Sequence, residues 1–302
     1  MTPRLTYFKK QGFLFFLVFS LLQQNIAQDT EIDSLLQTVQ GKETGKVSGA
    51  FKSTRVIQAH SIEMLHKHNL DVRILHRFGT INSGVDELFG LDQASTRIGF
   101  DYGFSDNFLA GFGRSTYKKE FDAFLKLRLV QQGSSQGSSP VSFVLALGST
   151  IWTEEVFTEY KPTTADRTGF YLQALIGRKF SEQFSLQLSP IIVHQNYVPT
   201  QYLDNTVYGL GGGARLKLSK RIAMTLDYHY VLGDLPEDHK NPLGMGMDIE
   251  TGGHVFQLHF SNAVGMNERA YIVDTNNDFW KGEIRFGFNL SRLFLLGKKK
   301  VK

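Results

Sequence analysis

The chain has 302 residues, no cysteine, 29 glycines, 25 phenylalanines and only 7 prolines, a composition that leans towards β-structure. Without cysteine there is no disulfide framework, no thiolate zinc site, no c-type haem attachment and no lipid-modified N-terminal cysteine. The formal net charge of +4 comes from basic residues scattered along the chain and gathered at its two ends, not from the basic stripe that nucleic-acid binding uses, so no nucleic-acid partner is expected.

Arg4, Lys9 and Lys10 precede an apolar run from Gly12 to Leu22, and Asn25-Ile26-Ala27 ends on a small residue. This is the pattern of a secretory signal, residues 1–27, cleaved before Gln28. The apolar run is far shorter than the ~20 residues of a membrane-spanning helix. No later segment is apolar enough either, so a mature chain that enters a membrane must do so as a closed barrel. Residues 28–48 read as a polar periplasmic lead-in, with Ile32, Leu35, Leu36 and Val39 at helical spacing.

Beyond the lead-in the period changes to two. In Thr96–Phe104, the residues Ile98, Phe100, Tyr102 and Phe104 share one face, with Arg97, Gly99, Asp101 and Gly103 on the other. Leu125, Leu127 and Leu129 likewise oppose Lys126 and Arg128, and Met224, Leu226, Tyr228 and Tyr230 oppose Thr225, Asp227 and His229. Strands of a soluble sandwich run to about 5 or 6 residues. These are longer, as a tilted strand crossing a bilayer must be, and they predict an all-β fold: one antiparallel transmembrane β-barrel over 49–296. Twelve strands are expected, near 50–58, 68–78, 94–104, 107–115, 119–131, 140–150, 168–179, 183–193, 206–217, 221–232, 252–261 and 282–292. Residues 297–302, with Lys298, Lys299, Lys300 and Lys302, form a basic tail.

The connections Phe104-Ser105-Asp106-Asn107-Phe108, Phe180-Ser181-Glu182-Gln183-Phe184 and Leu218-Ser219-Lys220-Arg221-Ile222 are one turn written three times. They predict a rim of short periplasmic turns with flanking aromatics at the interface. Longer polar connections at 79–93, 151–167, 194–205 and 233–251 are expected on the opposite, extracellular rim. Gly133–Ser139 reads as a flexible periplasmic linker and 262–281 as a periplasmic flap.

Phe51-Lys52-Ser53-Thr54-Arg55-Val56-Ile57, His60-Ser61-Ile62-Glu63, Leu75-His76-Arg77-Phe78-Gly79 and Gly282–Asn289 carry a resemblance. In these blocks the chain resembles an uncharacterised outer-membrane β-barrel family of Bacteroidota, classed only as a domain of unknown function. The resemblance implies fold and a Gram-negative outer-membrane location, and brings no ligand, cofactor or catalytic residue.

Arg73, Arg77, Arg97, Lys126, Arg128 and Arg285 are expected to line the lumen with Asp101, Asp122 and Asp227. Such charges must pair or be hydrated, so they form either an ion-pair plug or a porin-like channel favouring a small anionic solute. His60, Glu63, His66 and His68 offer a metal alternative in a turn, without a fixed third ligand. His259-Phe260-Ser261-Asn262 resembles the His-x-Ser-Asn stretch of outer-membrane phospholipase A, which gives a hydrolase alternative with His259 and Ser261 as base and nucleophile. Their parity points both into the lumen, away from lipid. Asp234, Glu237, Asp238, His239, Asp248 and Glu250 read as an acidic surface loop. No cofactor is expected. Outer-membrane lipid is the expected surrounding, with a channel or a platform for a periplasmic protein as the role, and a soluble periplasmic β-protein as a further alternative.

Overall fold

The computed structural model describes residues 45–155, 160–251 and 254–297. The expected signal at 1–27, the lead-in up to residue 44 and the tail beyond Gly297 lie outside the described residues.

Twelve antiparallel strands close into a barrel in sequence order: β1 (Asn69–Thr80), β2 (Ala94–Ser105), β3 (Phe108–Ser115), β4 (Phe121–Val130), β5 (Ser142–Ile151), β6 (Thr168–Lys179), β7 (Phe184–Gln195), β8 (Thr206–Lys217), β9 (Ile222–Leu232), β10 (Leu243–Thr251), β11 (His254–Ser261) and β12 (Arg285–Leu295). β1 pairs with β12, so no sheet edge is left open. The alternation read from the sequence sets the faces. Ile98, Phe100, Leu125, Leu127, Met224 and Tyr230 are exposed on the outside, whereas Arg97, Asp101, Lys126, Asp227 and His229 are buried within. An oily exterior around a charged interior suits a chain whose surrounding solvent is hydrocarbon.

The thrice-written turn forms a short connection in each copy, and in two of them the backbone closes alike. Phe180 N–H donates to the Phe184 carbonyl and Leu218 N–H to that of Ile222, each at 2.9 Å. Ser181 Oγ accepts from Phe184 N–H at 3.0 Å and Ser219 Oγ from Ile222 N–H at 3.1 Å, so the repeated serine ties each turn to its own backbone. Phe104, Phe180 and Phe184 lie exposed beside these turns.

Two elements differ from the sequence reading, and their effects cancel in the strand number. Residues 50–58 form no strand but a run of bends, with Ala50, Phe51, Val56 and Ile57 buried inside the barrel. Conversely, Leu243–Thr251, read as part of a loop, is β10. Its lumen face carries Gly244, Gly246 and Asp248, a sequence that looks like a turn, yet the glycines sit where space is short. A Cβ on Gly244 would lie 3.3 Å from Ile57 Cγ2. Asp248 therefore belongs to the lumen wall and not to the acidic loop. The extra strand also reverses the side on which β11 ends. The connection 262–284 leaves on the long-loop rim, opposite the short turns, which corrects its placement as a periplasmic flap.

Candidate functional site: a lumen closed from both rims

The chain enters the barrel at the short-turn rim. Val47 N–H donates to the Gln132 carbonyl at 2.8 Å, and Lys46 bridges Gly133. The Gly133–Ser139 segment, read as a free linker, thus anchors the entry point. Residues 49–66 then double back on themselves inside the lumen, with Ser61 N–H on the Thr54 carbonyl and Val56 N–H on that of Ala59, both at 2.9 Å. At the base, Glu63 Oε1 accepts from the backbone of Ala50 and Phe51 at 2.6 and 3.1 Å. The return leg leaves past β2, where His68 N–H reaches the Gly103 carbonyl at 2.8 Å, and continues into β1.

Backbone without regular structure must find partners elsewhere when water is excluded. The wall provides them. Asp227 Oδ2 accepts from Gln58 N–H and Ala59 N–H at 2.8 and 2.9 Å. Gln187 accepts from Ile62 N–H at 3.0 Å and donates to the His60 carbonyl at 2.7 Å. Lys126 Nζ donates to the Glu63 carbonyl at 2.6 Å, and Gln257 Nε2 to that of Val56 at 2.6 Å. Phe51, Val56 and Ile62 pack on Val144 and Leu175 of the wall.

From the long-loop rim a second insert descends. Its helix α1 (Glu268–Val273) is buried at every residue and is capped by Asn267, whose side chain accepts from Ala270 N–H at 2.9 Å. Glu120, in the β3–β4 loop, takes Arg269 Nε at 2.6 Å and Asn267 Nδ2 at 2.7 Å. Arg269 Nη2 also donates to Asp274 at 2.8 Å, and Lys118 Nζ lies 2.9 Å from the same carboxylate. Burial alone would raise Asp274, but Arg269 and Lys118 outweigh it and hold this carboxyl below its ordinary range. Burial likewise disfavours the Arg269 cation, yet Asp274 and Glu120 hold it above its ordinary range. His239 Nε2, in the β9–β10 loop, is 2.8 Å from the Ile272 carbonyl, and burial pushes its imidazole down. The two inserts meet where Arg55 Nη1 donates to Glu268 Oε1 at 2.7 Å.

The nine charges expected on the lumen wall all face inward, and four of them, Arg73, Asp101, Arg97 and Asp122, are neutralised by a partner in the wall. Arg73 Nε lies 2.7 Å from Asp71 and 3.4 Å from Asp101, and Arg97 Nε donates to Asp122 at 2.8 Å. Lys126 and Asp227 instead serve the insert. Arg77 is fully buried and meets only neutral acceptors among the described residues, Asn289 Oδ1 at 3.0 Å and the His76 carbonyl at 3.1 Å. Arg285 reaches the Phe78 carbonyl at 3.2 Å and Asn277 at 3.0 Å, and Arg128 is half-buried near the short-turn rim.

The metal alternative is not assembled. His60 is buried at the tip of the insert, 3.1 Å from Tyr171 Oη, while Glu63 closes the base. His66 and His68 lie at the rim beside Asp106 and Tyr102. The proposed nucleophile pair does not form either: both ring nitrogens of His259 lack hydrogen-bond partners among the described residues, and Ser261 Oγ accepts from Ala263 N–H at 3.1 Å. A Ser–His contact that the sequence did not suggest lies across three strands, with Ser189 Oγ 3.5 Å from His229 Nε2 and His229 Nδ1 3.4 Å from Asp227. It is fully buried beneath the ring of Tyr271, 5.1 Å away. With Asp227 committed to the insert, this row is part of the packing.

Residues 51–294 match the family described as membrane bound beta barrel domain (DUF5777). The chain belongs to this family. The membrane bound β-barrel architecture is therefore common to its members, and the apolar exterior is the lipid-facing surface. Among solved structures, the KdgM porin is similar over 75% of this chain and 99% of its own, at 8% identity and a TM-score of 0.45. The outer membrane phospholipase A from Escherichia coli is similar over 79% of this chain and 96% of its own, at 10% identity and a TM-score of 0.41. Omp33 of Acinetobacter baumannii covers 76% and 99%, at 7% identity and a TM-score of 0.38. These distant likenesses extend to neither substrate nor reaction. No curated protein matches the chain.

Proposed function

We propose that the protein is a non-enzymatic channel of the Gram-negative outer membrane, held closed by two inserts and opened by withdrawal of residues 49–66 towards the periplasm. The secretory pattern at the N-terminus and the DUF5777 architecture support that membrane, with the short-turn rim facing the periplasm. The observation that carries the reading is the way the wall is satisfied. Arg73 with Asp71 and Arg97 with Asp122 pair within the wall itself, so this part of the wall stays polar and wettable when the insert is gone, beside the apolar patch of Val144 and Leu175 that the insert covers. A barrel built only as a scaffold has no need of a charged wall, since apolar packing is at least as stabilising as buried ion pairs. Lys126, whose ammonium binds only insert carbonyls among the described residues, would be released into the open lumen and favour anionic solutes.

Planar-bilayer recordings test this. The folded chain from Gln28 should be silent or flicker, and deletion of 49–66 should give steady conductance with an anion preference that falls in Lys126→Gln. Because the chain holds no cysteine, an introduced pair can lock the insert unambiguously. A Cβ on Gly213 would lie 2.9 Å from Val56 Cγ2, a spacing that a disulfide bridges. Oxidised Val56→Cys/Gly213→Cys should then abolish flicker, and reduction should restore it. A deletion variant that folds yet stays silent refutes the channel and leaves the platform reading.

A further inference from the structure

The long-loop mouth holds a cavity of about 330 Å3 directly above α1, within the size range of small-ligand sites. Val198, Pro199, Leu203, Leu235, Pro236 and Val273 give it apolar walls. Two aromatic side chains complete them, and both are held in place. Trp152 has the Arg167 guanidinium 4.4 Å from its ring centre, and Tyr197 stacks on Tyr160 at 5.4 Å.

Most polar groups at the cavity are already engaged. Arg269 is spent on Glu120, Gln195 and Asp274, and Asp204 accepts from Asp234 N–H at 2.7 Å. Lys118 differs. Its ammonium has three donors, and Asp274 is the one acceptor the described residues give it. The side chain is 35% exposed, so the remaining donors have room for a guest.

The backbone here is also built at a cost. Lys118 and Lys119 take φ of 51° and 44°, a left-handed conformation that non-glycine residues seldom adopt. Neighbours enforce it: Thr153 N–H and Glu154 N–H both donate to the Lys118 carbonyl at 3.2 Å, and Thr153 Oγ1 donates to that of Lys119 at 2.7 Å. Strain held by surrounding structure is typical of ligand clamps.

We infer that this cavity binds a small amphipathic acid, an apolar body of single-ring size carrying one carboxylate, with the carboxylate on Lys118 and the body between Trp152, Tyr197 and the apolar walls. The site stands independently of whether the lumen opens.

Trp152 can report the binding itself, because Trp280 is the only other tryptophan. In full-length Trp280→Phe protein in nanodiscs, titration with 4-bromobenzoate, a heavy-atom quencher, should give saturable loss of Trp152 emission. Lys118→Gln should weaken it at least tenfold and Lys118→Arg should restore it. The uncharged isostere 4-bromobenzamide should bind at least tenfold more weakly. Leu235→Phe or Val198→Phe, each checked for a folded barrel by heat-dependent gel shift, should abolish saturation by filling the space. Linear quenching equal to that of Trp152→Phe, in which the exposed Trp280 alone reports quenching away from the cavity, would overturn the site. Equal affinity for acid and amide, or indifference to Lys118→Gln, would overturn the ligand class.

Discussion

Arg55 and Glu268 stand 213 positions apart in the chain and meet at 2.7 Å, each with its side chain 1% exposed. One arrives on the insert from the short-turn rim, the other on α1 from the long-loop rim. Their pairing is the seam of the closure, and each partner has a second contact beside it. Arg55 Nη1 also donates to the Gln58 carbonyl at 2.7 Å, while His60 Nε2 lies 3.3 Å from Glu268.

Breaking this pair from one side should loosen the inserts without unfolding the barrel. A buried charge left alone costs about 3–5 kcal/mol, whereas replacing both partners with apolar residues is often neutral or better. Glu268→Gln should therefore speed hydrogen exchange at Val56, Ala59 and Ser61, while the heat-dependent gel shift persists. Arg55→Met with Glu268→Leu should recover most of the protection. Exchange in the double variant as fast as in the single one would show that the charges are not what holds the seam.

Gly211 makes a second, separable test, because it serves wall packing rather than insert docking. A Cβ on Gly211 would fall 2.2 Å from His229 Nε2 and 2.3 Å from Ser189 Oγ, so the Ser–His contact exists only because β8 has no side chain there. Overpacking of this kind typically costs about 1–3 kcal/mol. Gly211→Ala should lower the urea midpoint of the whole barrel by an amount in that range, and adding His229→Ala should return part of it. An unchanged midpoint would mean that the row has slack.

The seam and the glycine row differ in how legible they are from sequence. Outward parity is readable because lipid imposes one rule on every strand: Ile98, Phe100, Leu127 and Tyr230 obey it without reference to neighbours. Inward parity has no such rule, since the lumen face answers to whatever fills it. Where the insert is apolar, the wall is apolar too, and Val144, Ala146, Leu175, Ile191 and Val193 are buried on the lumen side. In the sequence these give runs such as Phe143-Val144-Leu145-Ala146-Leu147, apolar on both faces, the pattern of a strand covered on both sides. That signal points to something packed inside. Phe51, Val56 and Ile57 answer it, but their own alternation looks like a strand, and only non-local pairing distinguishes the two. β10 is missed for the opposite reason, because Gly244, which makes room for Ile57, and Gly246, which lies close against Thr225 and His259, read as a turn.

Acidification should undock α1 before it harms the barrel. Burial holds His239 below its ordinary value near 6.5. An imidazole lowered in the docked state binds more protons when undocked, so docking is constant above about pH 7 and weakens as pH falls below that value. Asp274 is lowered as well, so its contribution is present above the usual carboxylate range, near 3.9, and is lost as pH falls through its depressed value. Exchange at Tyr271 and Ile272, corrected for intrinsic chemistry, should thus rise first below about pH 6.5 and again in strong acid. His239→Gln, which can still donate to the Ile272 carbonyl, should erase the first rise alone. A first rise that survives this substitution would assign it to another group.

The tip of the insert depends on a single wall carboxylate, and its charge can be removed at constant shape. Asp227 Oδ2 accepts from two successive backbone N–H groups, Gln58 at 2.8 Å and Ala59 at 2.9 Å. Hydrogen bonds to an ionised acceptor contribute roughly 1.5–3 kcal/mol each, against about 1 for neutral pairs. In Asp227→Asn the amide can still offer its oxygen to both donors, so the bonds survive but the charge does not. Protection of the Gln58 and Ala59 amides should drop by about 10- to 100-fold, an effect of about 1.4–2.8 kcal/mol. Protection of Leu226 and Tyr228, bonded within the wall ladder, should stay within a factor of two. Loss at all four would mean that Asp227 supports β9 itself. Loss at none would mean that the tip is held by Gln257 and Asn289, which reach the Val56 and Ile57 carbonyls at 2.6 and 3.1 Å, and withdrawal of the insert would then have to begin from those two bonds.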